Sequence, residues 1–157
     1  MASTGADATK PASPAGPVIF AYDGSELAAL AIEQAGRQLA PGREVLAVCV
    51  WQPNDVGFLP INERHLNAAE ATEVRKAAEE TAAHGASLAE KAGFRAQSIA
   101  VRAAPTWKGI VDIANEHEAS LIVLGSHRRR GLVRHLLGSV AAAVMAHSAS
   151  CVLIVQS

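Results

Sequence analysis

Four apolar runs constrain the fold of this chain more than any other feature: residues 18–22 (VIFAY), 45–51 (VLAVCVW), 121–124 (LIVL) and 151–155 (CVLIV). A strand with one wet face alternates apolar and polar residues, whereas a run that is apolar throughout is buried on both faces. Between the runs, apolar residues recur at helical spacing. Leu27, Leu30, Ala31, Ala35 and Leu39 lead up to Pro41-Gly42, and Leu66, Val74, Ala77, Ala78, Thr81, Leu88 and Ala92 lead up to Gly93, which fits a helix-terminating C′ position. Ile110, Ile113 and Ala114 follow a capping Thr106, and Val140 and Val144 follow Gly138-Ser139. Residues 94–103 alternate enough to supply a further, more exposed strand. Doubly buried strands, each followed by a helix, predict an open doubly wound α/β domain with five parallel strands and four helices. Such sheets take ligands in the crevice beyond the carboxyl ends of the strands, where strand order reverses. That directs the search for function to Asp23-Gly24-Ser25, the segment after Trp51, and residues 125–139.

The 157 residues suit one domain. Residues 1–16, polar and punctuated by proline, are expected to form a disordered tail, and 17–157 the folded domain. Alanine accounts for 33 positions, which favours helices lying close against a sheet. Only 4% of residues are aromatic, so a bound base must be held by backbone and small side chains and not by ring stacking. A net charge of -1 argues against a generic nucleic-acid binder. No apolar run reaches the ~18 residues of a membrane span. The first residues carry no apolar stretch of a secretory signal, so the expected location is the cytoplasm. Cys49 and Cys151 sit inside apolar runs without a CxxC pairing and are expected to be buried thiols.

The segment GSHRRRGLVRHLLGS, residues 125–139, carries most of the chemical information. Gly125 lets the chain leave a buried strand with bare backbone. Gly138-Ser139 begins a helix, where free N–H groups, the positive end of the dipole and a hydroxyl meet. Two readings stand side by side: an anion site suited to phosphate, or a turn glycine and an N-cap serine. Asp23, read alone, is a turn-former or helix cap.

The glycine spacing, with the flanking LIVLGSH and LLGSV and an aspartate shortly after the first strand, resembles the universal stress protein family over residues 17–156. The family's ATP-binding branch carries G-x2-G-x9-G-[S/T] after its fourth strand. Here Gly125, position 128 and Gly138-Ser139 keep that spacing. The resemblance implies the sheet order 3-2-1-4-5, dimerisation through the last strand at about residues 151–155, and ATP with Mg²⁺ at the switch point. It also implies that Ala21 and Asp23 face the nucleotide and that Val50 meets adenine through its backbone. Gly125, Gly138, Ser139 and the amide of Val140 would hold ribose and phosphates. Apart from the resemblance, Ser126 is read as a phosphate contact and His127 as a further candidate binding residue. One position departs from the pattern: Arg128 stands where the branch has its second glycine. Its side chain either blocks close backbone approach or lends its guanidinium to the phosphates. Ser150-Cys151 stands where many relatives carry Cys-Pro.

Arg128, Arg129, Arg130 and Arg134, with His127 and His135, read either as a phosphate funnel or as a solvated loop. Nucleic acid ranks behind both, because no aromatics are interleaved. His65, His84, His117 and His147 are expected at surface or cap positions, and Trp107 is expected to pack. No paired carboxylates, metal-ligand cluster, nucleophile motif or GxxxxGK[ST] loop is present. The resemblance implies a nucleotide-binding regulator of stress response. Its alternatives are a same-fold interaction protein that has lost ATP binding, with Arg128 as the lesion, and, more remotely, a slow nucleotide hydrolase.

Overall fold

The computed structural model describes residues 16–52, 68–127 and 137–156. The expected tail apart from Gly16, Leu66, His65 and the arginine cluster including Arg128 lie outside these residues. The elements run β1 (Val18–Ala21), α1 (Glu26–Gln38), β2 (Glu44–Trp51), α2 (Ala68–Lys91), β3 (Arg95–Arg102), α3 (Thr106–Glu116), β4 (Leu121–Ser126), α4 (Ser139–His147) and β5 (Cys151–Gln156). They form one five-stranded sheet in the order β3-β2-β1-β4-β5, with every neighbouring pair parallel. No described helix is long and apolar enough to cross a membrane.

Alternate residues of each central strand feed two separate cores. Ile19, Leu46, Val48, Ile122 and Leu124 pack against Ile110, Ala114 and Val144 of α3 and α4. Val18, Phe20, Val45 and Val123 pack on the opposite face with Ala28, Ala31, Ala35 and Ala89 of α1 and α2. Both faces of the sheet are covered, which is why the strands are apolar throughout. The exception is β3, whose outer position in the order leaves Arg95, Gln97, Ser98 and Arg102 exposed.

Local chemistry fixes the element ends. The Ser25 hydroxyl caps α1 by accepting from the Ala28 N–H at 3.2 Å. At the far end of α2, Gly93 adopts φ +100°; its N–H donates to the Glu90 carbonyl at 3.0 Å, and that of Phe94 to the Ala89 carbonyl at 3.1 Å. This is the Schellman closure that a C′ glycine permits.

Four local expectations are corrected. The buried stripe of α2 is Ala78, Ala82, Gly85 and Ala89, while Ala77 is exposed and Thr81 and Leu88 are only half-buried. Small residues face the sheet because the helix lies close to it, and the larger side chains occupy the flanks. Thr106 is the first helical residue of α3, and Pro105 occupies the cap position without a side-chain hydrogen bond. Gly138, not Ser139, is the N-cap of α4. Cys49 is buried, but Cys151 is exposed, because it opens an edge strand. Trp107 packs as expected, stacked on His147 with centroids 4.2 Å apart.

Candidate functional site

The central strand is the shortest, and this creates the cleft. Along β1 the last register partners are Ala21 with Val48 on one side and Phe20 with Val123 on the other. Past the level of Ala21, where β1 ends, β2 continues for three residues to Trp51 and β4 for two to Ser126. The missing length of strand, two to three residues, leaves a notch about 7–10 Å deep at ~3.3 Å per residue. It opens at the carboxyl ends, between the connections that leave β1 toward β2 and β4 toward β5, where the order reverses.

The resulting cleft has a volume of about 150 Å³. Of the residues singled out in the sequence, Ala21, Asp23, Val50, Gly125, His127 and Val140 line it. Strand geometry says how Val50 does so. The Val48 carbonyl accepts from the Tyr22 N–H at 2.9 Å, and the Trp51 carbonyl accepts from Ala103 at 3.2 Å on the β3 side. Peptide groups of alternate residues point to alternate edges, so Val50 turns its N–H and C=O toward β1, beyond the rung where β1 stops pairing.

Ser126, Gly138 and Ser139 are not part of the lining. Ser126 is buried, and its hydroxyl accepts from the Gly138 N–H at 2.8 Å. Ser139 is exposed at the first position of α4, and Val140 follows it into the cleft wall. Among the described residues, no side chain caps α4. Gly138 itself offers the first-turn N–H groups no side-chain acceptor, as serine or aspartate in its place would. Arg128 lies outside the described residues.

Asp23 is exposed and accepts from the Ser25 N–H at 2.9 Å, which makes the turn that its sequence position suggests. Beside it, burial raises the pKa of the Tyr22 phenol, and the Asp23 carboxylate adds to the effect. The Tyr22 hydroxyl lies 2.8 Å from Nδ1 of His84 on α2. Tyr22 and Thr106 also line the cleft, and the sequence reading did not assign them there. Their positions at the carboxyl ends of β1 and β3 were the available signal. Among the described residues, no three His, Cys, Asp or Glu side chains gather as a metal site. A larger opening of about 580 Å³ lies at the amino ends of β2 and β3, around Glu44, Arg95 and His117. It is at the end of the sheet opposite to that used for ligands in doubly wound folds, so the smaller cleft is the candidate.

The fold and cleft define an α/β domain of the switch-point type. A model of the universal stress protein family matches residues 15–156, and the chain belongs to that family. Among solved structures it is similar to a hypothetical protein whose biochemical function was assigned from its structure, at TM-score 0.70 and 24% identity over 90% of this chain and 96% of that one. It is similar to a universal stress protein in complex with cAMP, at TM-score 0.64 and 25% identity over 92% and 98% of the two chains. A universal stress protein from Archaeoglobus fulgidus in complex with dAMP matches at TM-score 0.58 and 24% identity, over 88% and 96%. No curated protein sequence matches the chain.

Proposed function

We propose that the chain is a nucleotide-binding regulator of stress response that takes ATP with Mg²⁺ in the cleft above β1 and works in the cytoplasm as a homodimer. The observation that carries this reading is the notch itself, with the peptide of Val50 turned into it past the end of β1. A backbone N–H and C=O side by side hold the edge of a base without any aromatic platform, which suits a chain with so few aromatics. The complex of a family member with cAMP supports a nucleotide as the ligand.

The residues present fit ATP in parts. A cleft of about 150 Å³ accommodates a base between Ala21 and Val50 but not a whole triphosphate. The phosphates would extend toward Gly138, Ser139 and the amide of Val140 at the head of α4, where the cap residue is glycine. Mg²⁺ accompanying a nucleotide is commonly held by one or two carboxylates with the phosphates and water. Among the described lining residues, Asp23 is the carboxylate and would serve. When bound, the ion would offset phosphate charge. The protein's own residues supply orientation and no identified nucleophile or base, so the role is binding, with at most slow hydrolysis.

Arg128 supports the second reading, an interaction protein of the same fold without nucleotide. Titration calorimetry with Mg²⁺–ATP separates the two, with Arg128→Gly in parallel. The expected outcome is binding by the natural protein. Binding by Arg128→Gly alone would establish the second reading, and no binding by either protein would remove ATP as the ligand.

A further inference from the structure

Ser126 is the one side chain among the described polar and charged residues that is fully buried, at 4% exposure. It sits at the end of β4 on the face of Ile122 and Leu124, both of which belong to the apolar core. A hydroxyl there is unfavourable unless it is hydrogen-bonded. Its partner is the backbone N–H of Gly138, twelve positions later, at 2.8 Å. The bond closes the β4–α4 connection at its base. Gly125 and His127, on either side of Ser126, line the cleft, and so does Val140, two residues past Gly138. One hydrogen bond thus ties the β4 wall of the cleft to the α4 wall.

We infer that Ser126 is a positioning residue: its hydroxyl sets the head of α4 against the end of β4 and so fixes the phosphate side of the cleft, without touching the nucleotide. This rests on the nucleotide reading above. It assigns Ser126 differently from the sequence reading, which takes the residue as a phosphate contact. The base side, held by Val50 across the notch, does not depend on this bond.

The test measures affinities for Mg²⁺–ATP and for adenosine in the wild type, Ser126→Ala and Ser126→Thr, together with hydrogen exchange of the Gly138 amide in the ligand-free proteins. Ser126→Ala is expected to weaken ATP about tenfold, in keeping with loss of a buried hydrogen bond, and adenosine by less than about twofold. The Gly138 amide is expected to exchange faster in the same variant. Ser126→Thr, which keeps the hydroxyl, is expected to restore both. Should Ser126→Ala not fold, Ser126→Cys carries the same comparison with a poorer acceptor of similar size. Unchanged ATP affinity, or equal losses of ATP and adenosine, overturns the inference. Weaker ATP binding with an unchanged Gly138 amide makes Ser126 a contact residue and also overturns it. If the wild type binds neither ligand, the nucleotide reading fails and the positioning role fails with it. Wild-type binding matched by Ser126→Ala removes the positioning role alone.

Discussion

The two glycines that flank the β4–α4 connection look equivalent in a motif and differ in the structure. A Cβ on Gly125 would lie 2.7 Å from Cγ of Leu27 and 3.0 Å from its carbonyl oxygen, so this glycine lets α1 approach β4. Among the described residues, a Cβ on Gly138 would meet the Ser126 hydroxyl alone, at 3.4 Å, and the backbone there has an ordinary φ of -56°. The fold therefore requires glycine at 125 and does not require it at 138. Gly125→Ala is expected to lower stability by about 1–3 kcal/mol through overpacking. Gly138→Ala, which puts a less favoured N-cap residue at the head of α4, is expected to cost about 0.5–1 kcal/mol while weakening ATP. Urea denaturation beside calorimetry reads both, and a stable Gly125→Ala would show that α1 yields at Leu27. Tyr22, the sole tyrosine, gives a second test at this scale. Burial, then the Asp23 charge, raises its pKa above the usual 10.0 in the native state. The folded protein thus holds the phenolic proton where the unfolded chain releases it. That contribution to stability is complete below pH 10 and is lost as pH rises through the native value. Phenolate absorbance should titrate above pH 10 in the native protein and return to about 10 in denaturant. Identical curves in the two states would rule this out.

Among the elements, α2 shows both the reach and the limit of reading from sequence. Its buried positions, Ala78, Ala82, Gly85 and Ala89, recur at spacings of four and three, as a helix face must. The larger Val74 and Leu88, which drew the expected stripe, lie at the margins. Ring atoms of Tyr22 lie within 2.8 Å of where a Cβ on Gly85 would be. Space of that kind excludes large side chains, and hydrophobicity alone does not report it. Ala82→Leu should therefore destabilise by about 1–3 kcal/mol. Ala77→Leu, one residue that the sequence places in the stripe and the structure exposes, should change stability by less than ~0.5 kcal/mol. Equal effects in thermal denaturation would restore the original stripe. The strands were legible for a simpler reason: apolar runs buried on both faces have no alternative placement. The cleft was legible in part. Asp23, Gly125 and His127 stand at strand ends that the chain order alone exposes. Tyr22 and Thr106 were missed because their roles depend on where β1 stops relative to β2 and on how close β3 lies, and both are matters of register. The bond from Ser126 to Gly138 spans a connection with no periodicity to betray it.

For the whole molecule, the two edges of the sheet are unlike. At one edge, β3 carries Arg95 and Arg102 at its ends and exposed Gln97 and Ser98 between them, which discourage further pairing. At the other, β5 presents Val152, Leu153, Ile154 and Val155, all half-buried, and has β4 as its one partner in the sheet. Next to it in the chain, α4 (SVAAAVMAH) is apolar on every side, although only Ala141 and Val144 are fully buried. Met145 remains 55% exposed. A helix of this composition beside an apolar edge is adapted to cover by another surface, and a second copy of the chain offers a matching edge through two-fold pairing. The expected solution mass is therefore twice the 16.3 kDa of one chain. Leu153→Arg, which puts a charge into that edge, should bring the mass to that of one chain. Met145→Arg changes a residue that the monomer already exposes and should raise the dimer dissociation constant at least ~10-fold. Light scattering over a concentration series, with circular dichroism to confirm folding, distinguishes these outcomes. A single-chain mass at micromolar concentration in the natural protein would reject the dimer. A natural dimer untouched by Met145→Arg, and by Leu153→Arg that still folds, would move the interface away from β5 and α4.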